Sequence, residues 1–209
     1  MTEVKICGLS EPDTLAAAVA AGADYVGFNF FPKSPRYVDL ELAVRLRPLA
    51  GPAKAVALLV DPSDDDLGAI EPLEFDVIQL HGAETPARLE QIKRATDLVV
   101  WKALGVETAE DLARAGAFDA ADALLIDAKP PKGSDLPGGN GAPFDWSILA
   151  GWTPEKPWML SGGLTPETVA AAIAATNAPA VDVASGVERS RGVKDPTLIK
   201  AFVTAAKAA

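Results

Sequence analysis

Val4-Lys5-Ile6-Cys7-Gly8-Leu9-Ser10 begins almost at the first residue and reads as a short apolar strand that ends in the only cysteine of the chain. A glycine follows at once, and Ser10-Glu11-Pro12 then opens a helix, since proline at the first helical position gives up only an N–H that would go unpaired there. A thiol therefore sits where a strand stops and a turn begins. In α/β proteins that edge is where ligands are handled. A lone cysteine is otherwise a small buried hydrophobe, so the remainder of the chain has to separate the two readings.

The same unit recurs. Eight short apolar runs read as strands: Glu3–Gly8, Tyr25–Phe30, Ala53–Val60, Phe75–Leu80, Leu98–Ala103, Ala123–Ile126, Trp158–Ser161 and Ala180–Ala184. They are continuous rather than alternating, as strands covered on both faces of a parallel sheet must be. Between them lie segments of helical period, marked by Leu15 and Val19, by Leu89, Ile92 and Lys93, and by Val169, Ala172 and Ile173. Thr85-Pro86, Thr165-Pro166 and Asp195-Pro196 each set a capping side chain before a proline. Ser63 to Asp66 has the spacing of a capping box. Strand then helix, eight times at a repeat of about 26 residues, predicts a single (β/α)8 TIM barrel over residues 1–209, in the α/β class. An open doubly wound sheet would want a Gly-rich first turn. Gly138-Gly139-Asn140-Gly141 does not fit that fingerprint and follows the sixth strand.

Charge narrows the partners. With 29 acidic and 19 basic residues the formal net is −10, a field that repels nucleic acid and anionic membrane surfaces. A small phosphorylated ligand remains compatible, because backbone amides at a helix start can hold phosphate without a lysine. One cysteine makes no intrachain disulfide, and no Cys/His spacing suits a metal such as zinc. The first residues lack the pattern of a signal peptide, and no apolar run approaches the roughly 18 residues that span a bilayer. A cytoplasmic protein is the expectation, with a monomer as the default.

In a barrel, residues just past each strand converge on one mouth. Here they are Cys7, Asn29, Asp61, His81, Lys102–Leu104, Asp127, Ser161-Gly162-Gly163 and Ser185-Gly186. The only cysteine and the only histidine both fall there. So does Asp127, at the end of Ala-Leu-Leu-Ile-Asp. After the last two strands come Ser161-Gly162-Gly163-Leu164, leading to a helix capped by Thr165, and Ser185-Gly186-Val187. Glycine lets backbone approach an anion, and barrels often seat a phosphate between these two loops. The stretch Ala128–Phe144, dense in proline and glycine, reads as a lid beside Asp127. A second loop after strand two carries Arg36, whose guanidinium suits a carboxylate.

Several of these segments together resemble one family. They are Lys5-Ile6-Cys7-Gly8, Phe31-Pro32-x-Ser34-Pro35-Arg36, Gln79-Leu80-His81-Gly82, Asp127 before a Gly-rich loop ending Phe144-Asp145-Trp146, Ser161-Gly162-Gly163-Leu164, and Asp182-Val183-x-Ser185-Gly186-Val187-Glu188 with Gly192-x-Lys194-Asp195 beyond. In this order and over the whole length the chain resembles phosphoribosylanthranilate isomerases. The resemblance implies a barrel acting in tryptophan biosynthesis, which converts N-(5′-phosphoribosyl)anthranilate to a 1-deoxyribulose 5-phosphate by an Amadori rearrangement without metal or cofactor. It further implies Cys7 as general base, Asp127 as general acid and Arg36 as partner of the anthranilate carboxylate. Phosphate would lie on the amides of Gly162, Gly163, Ser185 and Gly186. Asn140 stands where the family more often has threonine, and Ala184 where a serine is common.

The chemistry asks for such groups on its own account. Opening the furanose needs a proton on the ring oxygen, and forming the enamine needs one removed from C2′. An acid and a base on opposite sides suffice, each worth roughly 10²–10⁴-fold. The thiol should then be drawn toward thiolate and the carboxyl kept able to give a proton. His81 is an alternative acid or base, expected instead to line the substrate pocket. Two rivals stay open at this stage: the aminoimidazole ribonucleotide isomerases of histidine biosynthesis, which resemble a duplicated half-barrel with aspartate where Cys7 stands, and a phosphosugar-binding barrel without catalysis.

Overall fold

The computed structural model describes residues 1–129 and 145–209. The stretch 130–144, and with it Asn140 and most of the expected lid, lies outside the described residues. Eight parallel strands close into a barrel in chain order: β1 (Glu3–Cys7), β2 (Tyr25–Asn29), β3 (Lys54–Leu59), β4 (Val77–Leu80), β5 (Val99–Val106), β6 (Ala123–Ala128), β7 (Trp158–Leu160) and β8 (Ala180–Val183). The ring shuts where β1 pairs with β8, with Lys5 opposite Asp182.

Helices α1 (Pro12–Ala21), α2 (Leu40–Leu46), α3 (Asp64–Ile70), α4 (Pro86–Ala95), α5 (Ala109–Ala113), α6 (Val169–Thr176) and α7 (Pro196–Ala208) form the outer layer. The expected starts are largely where the capping residues stand. Ser63 and Asp66 form the reciprocal box, Thr85 accepts from the N–H of Arg88, and Asp195 accepts from those of Thr197 and Leu198. Thr165 differs. Its carbonyl takes the N–H groups of both Thr168 and Val169, which makes a tight turn, and α6 begins only at Val169. Eight α-helices are also not found among the described residues. Of the described residues between β6 and β7, Trp146–Leu149 form a 3₁₀ turn, in a stretch interrupted by Gly151, Pro154 and Pro157. Beyond β8, a small antiparallel pair that the sequence reading did not contain, β9 (Glu188–Ser190) and β10 (Val193–Lys194), precedes α7.

Strand alternation divides the interior into two cores. Val4, Ile6, Val26, Phe28, Ala55, Ala57, Ile78, Leu80 and Ile126 face the helices, where Phe28 and Phe75 meet edge to face at 5.6 Å. Tyr25, Val56, Val77, Trp101, Ala103, Leu125, Met159 and Ala180 fill the barrel itself. Two residues on from these inward positions, toward the carboxyl ends of their strands, come Asp127, Ser161 and Asp182. Strand length also moves two expectations. β5 runs on to Val106, so Lys102 and Leu104 lie within it, and β6 runs to Ala128, so Asp127 is the penultimate strand residue rather than the first of a loop. Hydrogen bonding from the neighbouring strand extends both: Gly105 pairs with Asp127 and Val106 with Ala128.

The opposite end of the barrel is tied by a repeated device. Asp24, Asp76 and Asp122 precede β2, β4 and β6, and each carboxylate accepts a strand N–H, from Val4, Ala55 and Val100 respectively, at 2.7 Å. Each also meets a cation of the helical layer: Lys207, Arg47 and Lys93. This pins β1, β3 and β5 to the turns before β2, β4 and β6, and its place at the amino-terminal face marks it as a stability feature.

Candidate active site

Cys7 ends β1, and its turn is fixed because the N–H groups of Gly8 and Leu9 both reach the carbonyl of Gly27 on β2. Its side chain points into the barrel and is buried. Across the mouth, three strands away through β8 and β7, Asp127 is also buried. One carboxylate oxygen of Asp127 accepts the N–H of Ala128 at 2.8 Å, and the other stands 3.4 Å from His81 Nε2.

His81 is not alone on that wall. Its N–H donates to the carbonyl of Leu59, and Gln79, at the preceding inward position of β4, places its amide nitrogen 2.9 Å from Nδ1. A donating amide makes Nδ1 the acceptor and puts the ring proton on Nε2, toward Asp127. Gln79 Oε1 has no hydrogen-bond partner among the described residues although the residue is fully buried. Just beyond, Glu84 accepts from the N–H groups of Asp61 and Gly82 and takes Lys102 Nζ at 2.7 Å, so the turn that presents His81 is clamped from the helix side.

Around Cys7 the charges are buried and paired. Lys5 Nζ donates to Asp182 Oδ1 at 2.9 Å, and Ser161 Oγ donates to the other carboxylate oxygen at 3.2 Å. Lys194 Nζ donates to Glu188 at 2.9 Å and to the carbonyl of Ala184 at 2.7 Å. Removing one partner of such a pair leaves an uncompensated buried charge, at about 3–5 kcal/mol. Burial pushes the Cys7 thiol up, and this outweighs the pull of Lys5 and Lys194 in the other direction. The expectation of a thiol drawn below its ordinary value is therefore not met: desolvation of the charged form wins.

Arg36 is buried and its guanidinium is already engaged. Nε and Nη2 donate to the two oxygens of Glu188 at 2.6 and 3.0 Å. Glu188 also accepts the N–H of Gly192, and with Arg36, Lys194 and that amide around it, its carboxyl falls to about 2. A carboxylate lowered this far loses its pairing only as pH falls from the usual carboxylate range toward 2, so the Arg36 contact persists at any pH near neutrality.

The two glycine turns meet each other. Gly162 adopts φ 91°, a conformation that side chains disfavour, and a Cβ there would stand 2.6 Å from the N of Ala128. At Gly186, within the 3₁₀ turn Ser185–Val187, a Cβ would fall 1.8 Å from the carbonyl oxygen of Leu164. The loops after β7 and β8 thus touch backbone to backbone. Gly186→Ala is expected to lower the thermal midpoint by about 3–10 °C, since neither partner is a flexible side chain that could yield. Thermal unfolding followed by circular dichroism checks this, and an unchanged midpoint would mean that the loops do not meet in this way.

Cys7, Arg36, His81, Asp127, Gly162, Gly163, Ser185 and Gly186 thus lie at one end of the barrel. The motifs that contain Lys5, Gln79, Asp182, Glu188 and Lys194 do not by themselves assign these residues a role. Lys5 and Gln79 carried a signal in the alternation: a polar residue two before Cys7 or His81 must share its face. Among the described residues no group of three or more His, Cys, Asp and Glu is placed to hold a metal ion, and no helix is long and apolar enough to cross a membrane.

Residues 4–205 match the family model described as N-(5′-phosphoribosyl)anthranilate (PRA) isomerase. A relative of that name from Hyphomonas neptunium is 57% identical over 208 residues, covering 100% of this chain and 98% of the relative. Another from Parvibaculum lavamentivorans is 54% identical over 214 residues, covering 99% of each. Among solved structures, phosphoribosyl anthranilate isomerase from Thermotoga maritima aligns with a TM-score of 0.89 at 36% identity, over 100% of both chains. A phosphoribosyl anthranilate isomerase in complex with reduced 1-(o-carboxyphenylamino)-1-deoxyribulose 5-phosphate aligns with a TM-score of 0.87 at 34% identity, again over 100% of both.

Proposed function

The chain belongs to the N-(5′-phosphoribosyl)anthranilate isomerase family, and on that premise we propose that Cys7 is the general base and Asp127 the general acid of its reaction. The activity is that of the family, isomerisation of N-(5′-phosphoribosyl)anthranilate in tryptophan biosynthesis. The observation that carries the assignment is one of placement. A buried thiol and a buried carboxyl face the same barrel mouth from walls three strands apart, as an acid and a base on opposite sides of one sugar require.

Asp127 gives its proton to the furanose oxygen as the C1′–O bond breaks, and the anthranilate nitrogen lone pair forms the iminium at C1′. Cys7, as thiolate, then takes the proton from C2′. The C–H electron pair becomes the C1′–C2′ double bond, the iminium is neutralised, and ketonisation of the enaminol returns a proton to C1′. The product is 1-(2-carboxyphenylamino)-1-deoxyribulose 5-phosphate. A neighbour structure binds the reduced form of that compound, which supports a phosphorylated ligand of this shape for the present chain.

Phosphate is held by the amides of Gly162 and Gly163 together with those of Ser185 and Gly186, whose loops pack against each other at Gly186 and Leu164. The backbone carbonyl of Ala184, at the head of the second of these loops, accepts from Lys194. Arg36, oriented by Glu188, receives the anthranilate carboxylate, five N–H donors allowing one guanidinium to serve two acceptors. His81 lines the pocket beside Asp127.

The test makes the substrate in place, from anthranilate and phosphoribosyl pyrophosphate with the preceding transferase, and follows loss of its fluorescence. A decay above the spontaneous rate that disappears in Cys7→Ala supports the base. Arg36→Ala is expected to raise KM about 10–100-fold with kcat little changed, as loss of hydrogen bonds to a charged group would. Arg36→Lys keeps a cation for Glu188 and loses the fork, so it should show the same KM defect with the fold retained. Unchanged kinetics in both would remove Arg36 from carboxylate recognition.

A further inference from the structure

Among the largest fully buried side chains of the described residues, beside Phe28 and Phe202, stands a lysine, Lys5. Lysine is almost never sealed inside a protein unless paired, and an ion pair with Asp182 alone is weak ground for keeping one there, since buried pairs contribute little net stability. The geometry gives the ammonium a second neighbour. Lys5 and Cys7 share the inward face of β1, two residues apart. Gly27 stands opposite Cys7 in the β1–β2 register. A Cβ on Gly27 would lie 3.1 Å from Cys7 Sγ and 3.2 Å from Lys5 Nζ. Sulfur and ammonium therefore occupy the one space that the missing side chain opens.

The charges facing Cys7 are Lys5 on β1, Asp182 on β8 and Lys194 on β10. Behind them Glu188 neutralises Lys194 and holds Arg36, and Asp127 with His81 occupies the far wall. Lys194 is already shared between Glu188 and the carbonyl of Ala184. Lys5 Nζ donates to Asp182, whose other oxygen is taken by Ser161.

We infer that Lys5 is the counter-ion of the Cys7 thiolate, a positioning residue whose ammonium is shared between Asp182 and sulfur, with Ser161 fixing the carboxylate that holds it. This rests on Cys7 as the general base. Lys5 keeps its proton throughout. It lowers the cost of charge on sulfur before Cys7 accepts the C2′ proton, and Asp182 limits how far it does so. The direction of the Lys5 pKa, raised by Asp182 and Cys7 against desolvation, agrees with a permanent cation.

Cys7 is the only cysteine, so thiolate absorbance in the far ultraviolet, read against Cys7→Ser, reports a single titration. Lys5→Met is expected to raise that titration by at least about one pH unit, a tenfold loss of thiolate at fixed pH. The rising limb of the kcat–pH profile should move with it. Asp182→Asn is expected to shift both in the opposite direction, which a merely structural role would not produce. The double variant Lys5→Met/Asp182→Asn leaves no buried ion unpaired, keeps the test available where the single lysine change does not fold, and should also shift the titration upward. A thiol titration unmoved by loss of Lys5, or moved the same way by Asp182→Asn, overturns the inference while leaving the base in place. A titration that moves while the kcat limb stays fixed overturns the assignment of Cys7 instead.

Discussion

Replacing Cys7 by alanine is expected to lower kcat by about 10²–10⁴-fold while the barrel folds as before. The change is small in volume and removes no ionic partner that Lys5 needs, because Asp182 still accepts from it at 2.9 Å. KM should change little if the sulfur acts on C2′ in the transition state rather than in binding. The pH dependence supplies a second signature. Burial holds the thiol above its ordinary value, and the base is the thiolate, so wild-type kcat should rise with pH through the alkaline range until that folded-state value is passed. The residual rate of Cys7→Ala should lack this rise. Turnover of the in-place substrate, measured against its spontaneous decay across pH, reads both effects. Wild-type-like kcat in the variant would take Cys7 out of the mechanism.

The barrel was legible because parallel strands covered on both faces have to be apolar throughout, and eight such runs left few alternatives. Their ends were less so. Nothing local in Ala103 to Val106 or at Asp127 and Ala128 says that the two strands continue, because what extends them is pairing with each other. Thr165-Pro166 has the letters of a helix start, but its carbonyl is spent on a turn that sends the chain over Gly186 before α6 begins. Gathering of the site was also readable, since Cys7, His81 and Asp127 each stand at or just past the carboxyl end of a strand. What escaped was the charge around them. Lys5, Asp182, Glu188 and Lys194 lie on four different strands, and only closure of β8 onto β1 and the β9–β10 excursion bring them beside the thiol. The depressed thiol expected from chemistry alone failed for the same reason: a sequence names the cations near a cysteine but not how thoroughly the fold removes water from it.

Asp127→Asn is expected to lower kcat about as steeply, by roughly 10²–10⁴-fold, through a different step. Asparagine keeps the shape and, through its oxygen, the hydrogen bond from the N–H of Ala128, so the loss is that of a transferable proton. Without it the furanose oxygen leaves unassisted and ring opening becomes limiting. Deuterium at C2′ then distinguishes the two residues. The isotope effect should fall to near unity in Asp127→Asn, where the C–H bond breaks after the slow step. It should be fully expressed in Cys7→Ser, where the slow step is that bond. His81 is the competitor, because its Nε2 faces Asp127 at 3.4 Å and could itself carry the proton. In that case His81→Asn would be the more damaging change and would itself abolish the isotope effect. With Asp127 as the acid, His81→Asn costs less than Asp127→Asn and leaves ring opening faster than loss of the C2′ proton. A larger defect in the histidine variant than in Asp127→Asn would move the acid from β6 to the turn after β4, where Gln79 already sets the imidazole tautomer that such a donor would need.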